Sequence, residues 1–260
     1  MAPKKRIKKP PIDNSRLIWT KWARPKTATE EIDDQAMLER FASPKIGNAP
    51  PVGSGWILDA EWKNSSGVPI LSIEANWKVP AEPAHGFQLF YVFIGLKDAV
   101  NRNLLQCCLQ WGSNQFGGGQ QWSIGNVQVA NKVGNCPNGL DSVTTGDTIS
   151  ASISFATSSG GQYYYQLNIN GQPAMLSAGV PLLSTCCIAL ETYGISDEAQ
   201  LPPGSTFVQN IKITTSNGVV SPVWFDNSGD NPNGQHLGLV NGNTVELCYH
   251  KAQTAAQAFV

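Results

Sequence analysis

Two polar side chains inside apolar runs are the first candidates for chemistry in this sequence. Gln106 lies in the run LLQCCLQW at residues 104–111, and Glu191 lies in CIALETY at residues 187–193. A carboxylate in such surroundings loses hydration unless it is paired, protonated or open to a cleft. The alternative is that Gln106 hydrogen-bonds a neighbour and that Glu191 lies in solvent near the end of its strand.

The elements that carry these residues are predicted to be β-strands, in which side chains alternate between two faces. That alternation places Gln106 and Gln110 on one face of their strand, and Glu191 and Tyr193 on one face of theirs. If the two faces belong to one concave sheet surface, they form a polar patch on an otherwise apolar bed.

Composition favours an all-β domain. The chain has 25 glycines, 17 prolines and only 14% charged residues, which is typical of many short strands joined by tight turns. Nine segments have strand signals, and Asn170-Gly171 is typical of a hairpin turn. They are residues 70–79, 88–96, 104–111, 120–130, 148–156, 163–169, 186–193, 206–215 and 244–250. We predict a β-sandwich over residues 56–260, preceded by a basic tail and an N-terminal extension at residues 1–55.

Neither the histidines nor the cysteines predict a metal site. His85, His236 and His250 lie far apart, outside any zinc-ligand spacing or nucleophile motif. The six cysteines include two adjacent pairs within apolar runs, a pattern typical of buried thiols. We therefore expect no metal and no cofactor.

Charge argues against nucleic acid as the partner of the main domain. Five of the 18 basic residues lie at positions 4–9, and the rest of the chain has 13 basic and 19 acidic residues. A mildly acidic body repels phosphate backbones. No secretory signal pattern and no run of 18 apolar residues occurs, so we expect no membrane span and, for the sequence as written, a cytoplasmic location. The oligomeric state stays open.

Several short segments together resemble the fungal glutamic peptidases, the eqolisins of family G1. The resemblance runs in order through residues 75–80 (ANWKVP), 93–96 (FIGL), 105–106 (LQ), 146–149 (GDTI), 189–191 (ALE) and 245–249 (VELCY). It implies a concanavalin-A-like sandwich of two curved antiparallel sheets.

The resemblance also implies a catalytic dyad. Glu191 would act as general base on a water, and Gln106 would polarise the scissile carbonyl and stabilise the oxyanion. We expect Trp122, Tyr193, Gln110 and Phe93 to contact a peptide, carbohydrate or other small ligand in the concave cleft.

Three departures from the family pattern keep other functions open. Lys97 stands where the family has an acidic residue, Cys108 replaces the glycine after the catalytic glutamine, and residues 121–125 (QWSIG) replace a Trp-Tyr-Glu-Trp strand. The alternatives are a lectin-like carbohydrate binder with the same fold, and a repurposed enzyme that acts on a small apolar substrate.

Overall fold

A computed structural model describes residues 55–84, 88–131, 133–195, 197–228 and 234–250 of the chain. The basic tail, nearly all of the N-terminal extension and His85 lie outside the described residues, so their predicted properties stay predictions. Within the described ranges the chain is built from β-strands, with one short 3-10 helix at Glu198–Gln200.

The strands form two eight-stranded antiparallel sheets. They are β1 (Gly55–Lys63), β2 (Ile70–Lys78), β3 (Leu89–Lys97), β4 (Asn103–Asn114), β5 (Gly117–Ala130), β6 (Val133–Asn135), β7 (Asp141–Ser142), β8 (Thr148–Ser159), β9 (Gln162–Ile169), β10 (Met175–Leu176), β11 (Thr185–Tyr193), β12 (Ser205–Thr215), β13 (Gly218–Val220), β14 (Phe225–Asp226), β15 (His236–Asn241) and β16 (Thr244–Cys248). Sheet A has the order β14-β1-β11-β3-β4-β5-β6, and β7 also pairs with β5. Sheet B has the order β10-β9-β8-β2-β12-β16-β15, and β13 also pairs with β12.

The main core lies between the two sheets and follows the period of two. Alternate residues of β11 (Cys186, Ile188 and Leu190) face this core, and so do Ile73 and Ile153 from sheet B. Because burying such side chains is the main favourable contribution to folding, the alternation fixes which face of each strand turns inward.

All nine predicted strands are present, with ends that differ by a few residues. The predicted sandwich is therefore confirmed. Asn170 and Gly171 both have positive φ, at 37° and 75°, as the predicted turn requires. Strand β1 was not among the predicted strands. Its charged residues Asp59, Glu61 and Lys63 alternate with apolar ones, and it pairs with β11 in sheet A.

Candidate functional site

The outer face of sheet A, which points away from sheet B, carries the predicted site residues other than Trp122 in aligned rows. Strand register places one residue from each of five adjacent strands side by side. The first row, from β1 to β5, is Trp56, Glu191, Tyr91, Gln110 and Ser123. Glu191 therefore lies directly opposite Tyr91 on the neighbouring strand.

Gln106 lies on this face but two rows away from Glu191. On β11 the residue in its row is Cys187, and Gly95 of β3 lies between the two. The backbone positions of Gln106 and Glu191 are thus about 10 Å apart across the sheet and about 13 Å apart along the strands.

Phe93 occupies the intermediate position on the diagonal between Gln106 and Glu191. It pairs with Ala189 on one side and Cys108 on the other, and its side chain is completely buried. The side chain of Gln106 is turned toward Cys108, whose Sγ donates to Gln106 Oε1 at 2.8 Å. The expected Gln106–Glu191 dyad is therefore corrected: the residues share a face, but the register does not bring them together.

Glu191 instead lies among aromatic side chains. Tyr193 OH donates a short hydrogen bond to Glu191 Oε1, and Trp56 supplies a second side-chain hydrogen bond to the carboxylate. Burial raises the pKa of Glu191, and the bonds from Tyr193 and Trp56 only partly oppose that shift. The result is an oriented carboxyl with no cationic partner among the described residues.

Tyr91 supplies a hydroxyl beside this carboxyl. Its oxygen accepts a hydrogen bond from Asn114 Nδ2 at 2.8 Å, and its ring packs edge-on against that of Tyr193 at 6.5 Å between centroids. Burial is the main reason that the pKa of Tyr91 is raised, so the hydroxyl keeps its proton. Its proton has no acceptor among the described residues, which leaves it available to a ligand.

Two other predicted ligand contacts have different roles. Gln110 lies in the row of Glu191, but its Nε2 donates to Gly112 O at 2.8 Å and Gly117 O at 3.3 Å within the β4–β5 hairpin.

Trp122 lies on the opposite face of sheet A, where it packs edge-on against Phe90 and Trp111 in the main core. Because Ser123 occupies the outward position in β5, its neighbour Trp122 must face inward. The expectation that Trp122 lines the cleft is therefore wrong.

The opposite end of the same face contains an ion cluster that the sequence did not predict. Lys97 Nζ bonds Glu61 Oε1 and lies 3.4 Å from Asp59 Oδ2, with all three side chains buried. Asn227 Nδ2 donates to Asp59 Oδ2 and to Glu61 Oε1, each at 3.0 Å. Glu61, Lys97 and Asn227 line a cleft of about 240 Å³.

The charged groups in this cluster shift one another's pKa values. Burial raises the pKa of Asp59 to about 6, because loss of hydration outweighs the hydrogen bond from Asn227 and the attraction of Lys97. Burial is the largest single effect on Glu61 and opposes its ionisation, but the bond to Lys97, the bond to Asp59 and the charges of the two lysines together outweigh it and lower the pKa of that carboxyl. The pKa of Lys97 is raised: burial alone would lower it, but Cys187 and the two carboxylates oppose that effect.

Trp56 connects the two groups of residues. Its ring lies 4.6 Å from Lys97 Nζ, its centroid lies 5.3 Å from that of Phe93, and its indole bonds Glu191. We call Trp56, Tyr91, Glu191 and Tyr193 the aromatic end of the face. We call Asp59, Glu61, Lys97 and Asn227 the ionic end.

Within the described ranges, no group of three or more His, Cys, Asp or Glu residues could hold a metal ion. The six cysteines are free and buried, and burial raises the pKa of each described thiol whose shift is resolved. The described residues also contain no helix that is long and apolar enough to cross a membrane.

Comparisons with known proteins support the fold. No protein-family model and no curated protein sequence matches the chain. Two structures of scytalido-glutamic peptidase with transition-state analogues give TM-scores of 0.53 and 0.55 at 12% and 13% identity. A structure of SCP-B, an eqolisin peptidase, in complex with the tripeptide Ala-Ile-His gives 0.50 at 12% identity. Each alignment covers 77% of this chain and 100% of the other. At these identities the comparisons show a shared sandwich fold alone.

Proposed function

We propose that this protein is a hydrolase that cleaves peptide bonds on the outer face of sheet A, with Glu191 and Tyr91 as its catalytic residues. The observation that carries the proposal is a half-buried carboxyl directly opposite a tyrosine: among the described residues, the carboxyl has no cationic partner and the tyrosine hydroxyl proton has no acceptor. Carboxyls with pKa values raised by burial are frequent at catalytic sites.

In this mechanism Glu191 handles the proton of the attacking water. The ionised carboxylate removes a proton as the water oxygen bonds to the carbonyl carbon of the substrate. It then returns that proton to the nitrogen of the leaving amine as the carbon–nitrogen bond breaks. Tyr193 and Trp56 hold the carboxyl in position through their hydrogen bonds. Proton transfer by a positioned group of this kind contributes about 10² to 10⁴ in rate.

Tyr91 stabilises the negative charge that develops on the carbonyl oxygen. Asn114 fixes the tyrosine oxygen by donating to it, so the hydroxyl proton of Tyr91 can be donated to the substrate. Because such a donor is already oriented in a partly dry site, it does not have to reorient as the negative charge develops. Tyr91 thus takes the role that the family resemblance gave to Gln106.

The peptide substrate is supported by the fold shared with glutamic peptidases, whose structures contain a peptide-based transition-state analogue and a tripeptide. Glu191, Tyr91 and Tyr193 are half-buried and so reach the surface, whereas Gln106 is 6% exposed. A bound peptide could therefore contact the aromatic end without unfolding the sheet.

The test is cleavage of an unfolded protein and of a mixed peptide library by the purified chain between pH 4 and 8, with fragments identified by mass spectrometry. We expect Glu191→Gln to lower the rate by about 10³-fold with an unchanged circular dichroism spectrum. The matched control is Glu246→Gln, which alters a half-buried glutamate that bonds Ser205 on sheet B and should leave the rate unchanged. Undiminished cleavage by Glu191→Gln, or no cleavage by the unaltered chain at any pH, would overturn the proposal.

A further inference from the structure

The outer face of sheet B carries two adjoining clefts that the hydrolase proposal does not use. One has a volume of about 500 Å³ and the other about 400 Å³, and Asn76 and Asn210 line both of them. These volumes fall in the range of small-ligand sites in proteins. Because the two clefts share Asn76 and Asn210, they form a continuous groove across strands β9, β8, β2 and β12.

A β-bulge in β12 lies where the two clefts meet. The pairing of β12 with β2 shifts register between Gln209 and Lys212, and Asn210 has a φ of 54°. The extra residue of a bulge turns its side chain out of the regular alternation. Ile211 is buried in the core while Asn210 remains exposed at the junction of the clefts.

The groove is lined by short polar side chains with unused hydrogen-bonding groups. Within the described residues, the amides of Asn76 and Asn210 and the ammonium group of Lys212 make no hydrogen bond and no ion pair. Asn168 Nδ2 donates to Ser152 Oγ only at 3.5 Å, and Asn168 Oδ1 accepts from Gln166 Nε2 at 3.4 Å, so the hydroxyl hydrogen of Ser152 and an amide hydrogen of Asn168 can still bond a ligand. The lining thus offers hydrogen-bond donors and acceptors together with a comparable extent of apolar surface.

One exposed aromatic side chain lies at the end of the groove, beside the buried Trp77. Phe207 lines the second cleft and is 43% exposed, although large apolar residues of β12 such as Ile213 are buried. An exposed aromatic face can stack on the apolar C–H surface of a sugar ring. The charged residues Glu74 and Lys212 lie opposite each other in register, so their charges balance across the groove.

We propose that this groove binds a neutral oligosaccharide. Sugar rings present many hydroxyls and one apolar face, which matches amide and hydroxyl groups beside an exposed phenyl ring. Balanced charge gives no advantage to a phosphate or another polyanion, and a wholly apolar ligand would leave the amides of Asn76 and Asn210 without hydrogen-bond partners. The inference does not depend on the hydrolase proposal, because the groove and the aromatic end lie on different sheets.

The probes are soluble neutral hexasaccharides of β-glucan, xylan, mannan and chitin, titrated into the full chain by isothermal calorimetry. Phe207→Ala, Asn76→Ala and Asn210→Gly each remove one proposed contact. Glycine is chosen at position 210 because it retains the positive φ. We expect at least one probe to bind and each variant to weaken its binding by roughly 3- to 10-fold.

The matched control is Thr157→Ala, which alters an exposed polar residue of β8 on the same sheet outside the lining of both clefts. It should bind the probe as the unaltered chain does. Failure of all four hexasaccharides to bind at millimolar concentration would overturn the proposal, and so would binding that all three groove variants retain in full. Glu191→Gln should bind normally, which separates this result from the outcome of the hydrolase test.

Discussion

The two ends of the outer face of sheet A bury carboxyl groups in opposite ways. At the aromatic end, Glu191 is held by the tyrosine and indole hydrogens of Tyr193 and Trp56 and has no cation beside it. At the ionic end, Asp59 and Glu61 are both held by Lys97. Carboxyl groups on one sheet face therefore differ in whether a neighbouring cation holds them.

The difference lies in how the cost of burying each charge is offset. Lys97 holds Asp59 and Glu61 in one geometry, which favours a structural role, although burial still raises the pKa of Asp59. Hydrogen bonds from uncharged donors orient a carboxyl but leave burial to raise its pKa, so protonation and deprotonation are both accessible. This contrast is why we place proton transfer at Glu191.

Replacing Lys97 by methionine is expected to have the largest effect on stability. Lys97→Met leaves two buried carboxylates facing each other, and removal of one partner from a buried ion cluster costs about 3 to 5 kcal/mol. Chemical denaturation at pH 7 measures the loss. Lys63→Met is the matched control, because Lys63 is 63% exposed and contacts Glu61 at 3.5 Å, so its removal should cost less than about 1 kcal/mol. Equal losses for the two variants would contradict a structural role specific to Lys97.

Asp59→Asn should change the pH dependence of stability. Asp59 has a folded pKa of about 6 against the usual 3.8, so its contribution to stability is complete below pH 3.8 and is lost as pH rises through 6. The variant should therefore be about 1 to 3 kcal/mol more stable relative to the unaltered chain at pH 7 than at pH 4.

The difference between variant and unaltered chain cancels the titration of Glu191 and reports on Asp59 together with Glu61, because these two carboxyls are hydrogen-bonded to each other. The lowered pKa of Glu61 acts with the opposite sign at acidic pH, and the raised pKa of Glu191 acts with the same sign as Asp59. Asp141→Asn, at an exposed position, should show no such difference. A relative stability of Asp59→Asn that does not vary with pH would refute the assignment.

Trp56→Phe should have the smallest effect of these three on stability, about 1 kcal/mol or less. Phenylalanine keeps a ring near Lys97 but removes the hydrogen bond that helps to ionise Glu191. The pKa of Glu191 should rise further, so the acidic limb of the pH–rate profile should move to higher pH. Trp62→Phe, which alters a half-buried tryptophan packed against the main core, should leave that limb unmoved. A shift of the limb to lower pH would contradict the role of Trp56.

The sequence predicted the strands because their signals are local. Alternation and turn residues placed Gln106 and Glu191 in strands, and the structure does place them on one face of one sheet. The prediction for Trp122 is wrong because the face on which it lies depends on the pairing of β4 with β5. Gln110 pairs with Ser123, so Trp122 lies on the other face, and the sequence of either strand alone does not reveal this pairing.

Register was the part that the sequence could not supply. The separation of Gln106 from Glu191 depends on Gly95 pairing with both Cys187 and Gln106, which is a long-range property of three strands. Tyr91 was overlooked because it lies within the apolar run FYVFIGL. The ionic end was overlooked because β1 was not among the predicted strands, although the alternation of Asp59, Glu61 and Lys63 was a usable signal.

The central claim is that Glu191 works with Tyr91 and not with Gln106. Its most direct test compares kcat/KM for one cleaved peptide between Tyr91→Phe and Gln106→Met, each with its unfolding midpoint measured. Removal of an oxyanion donor costs about 10² to 10³ in rate, so Tyr91→Phe should fall by that factor while Gln106→Met stays within about threefold of the unaltered chain. A collapse of activity in Gln106→Met with full activity in Tyr91→Phe would contradict the account.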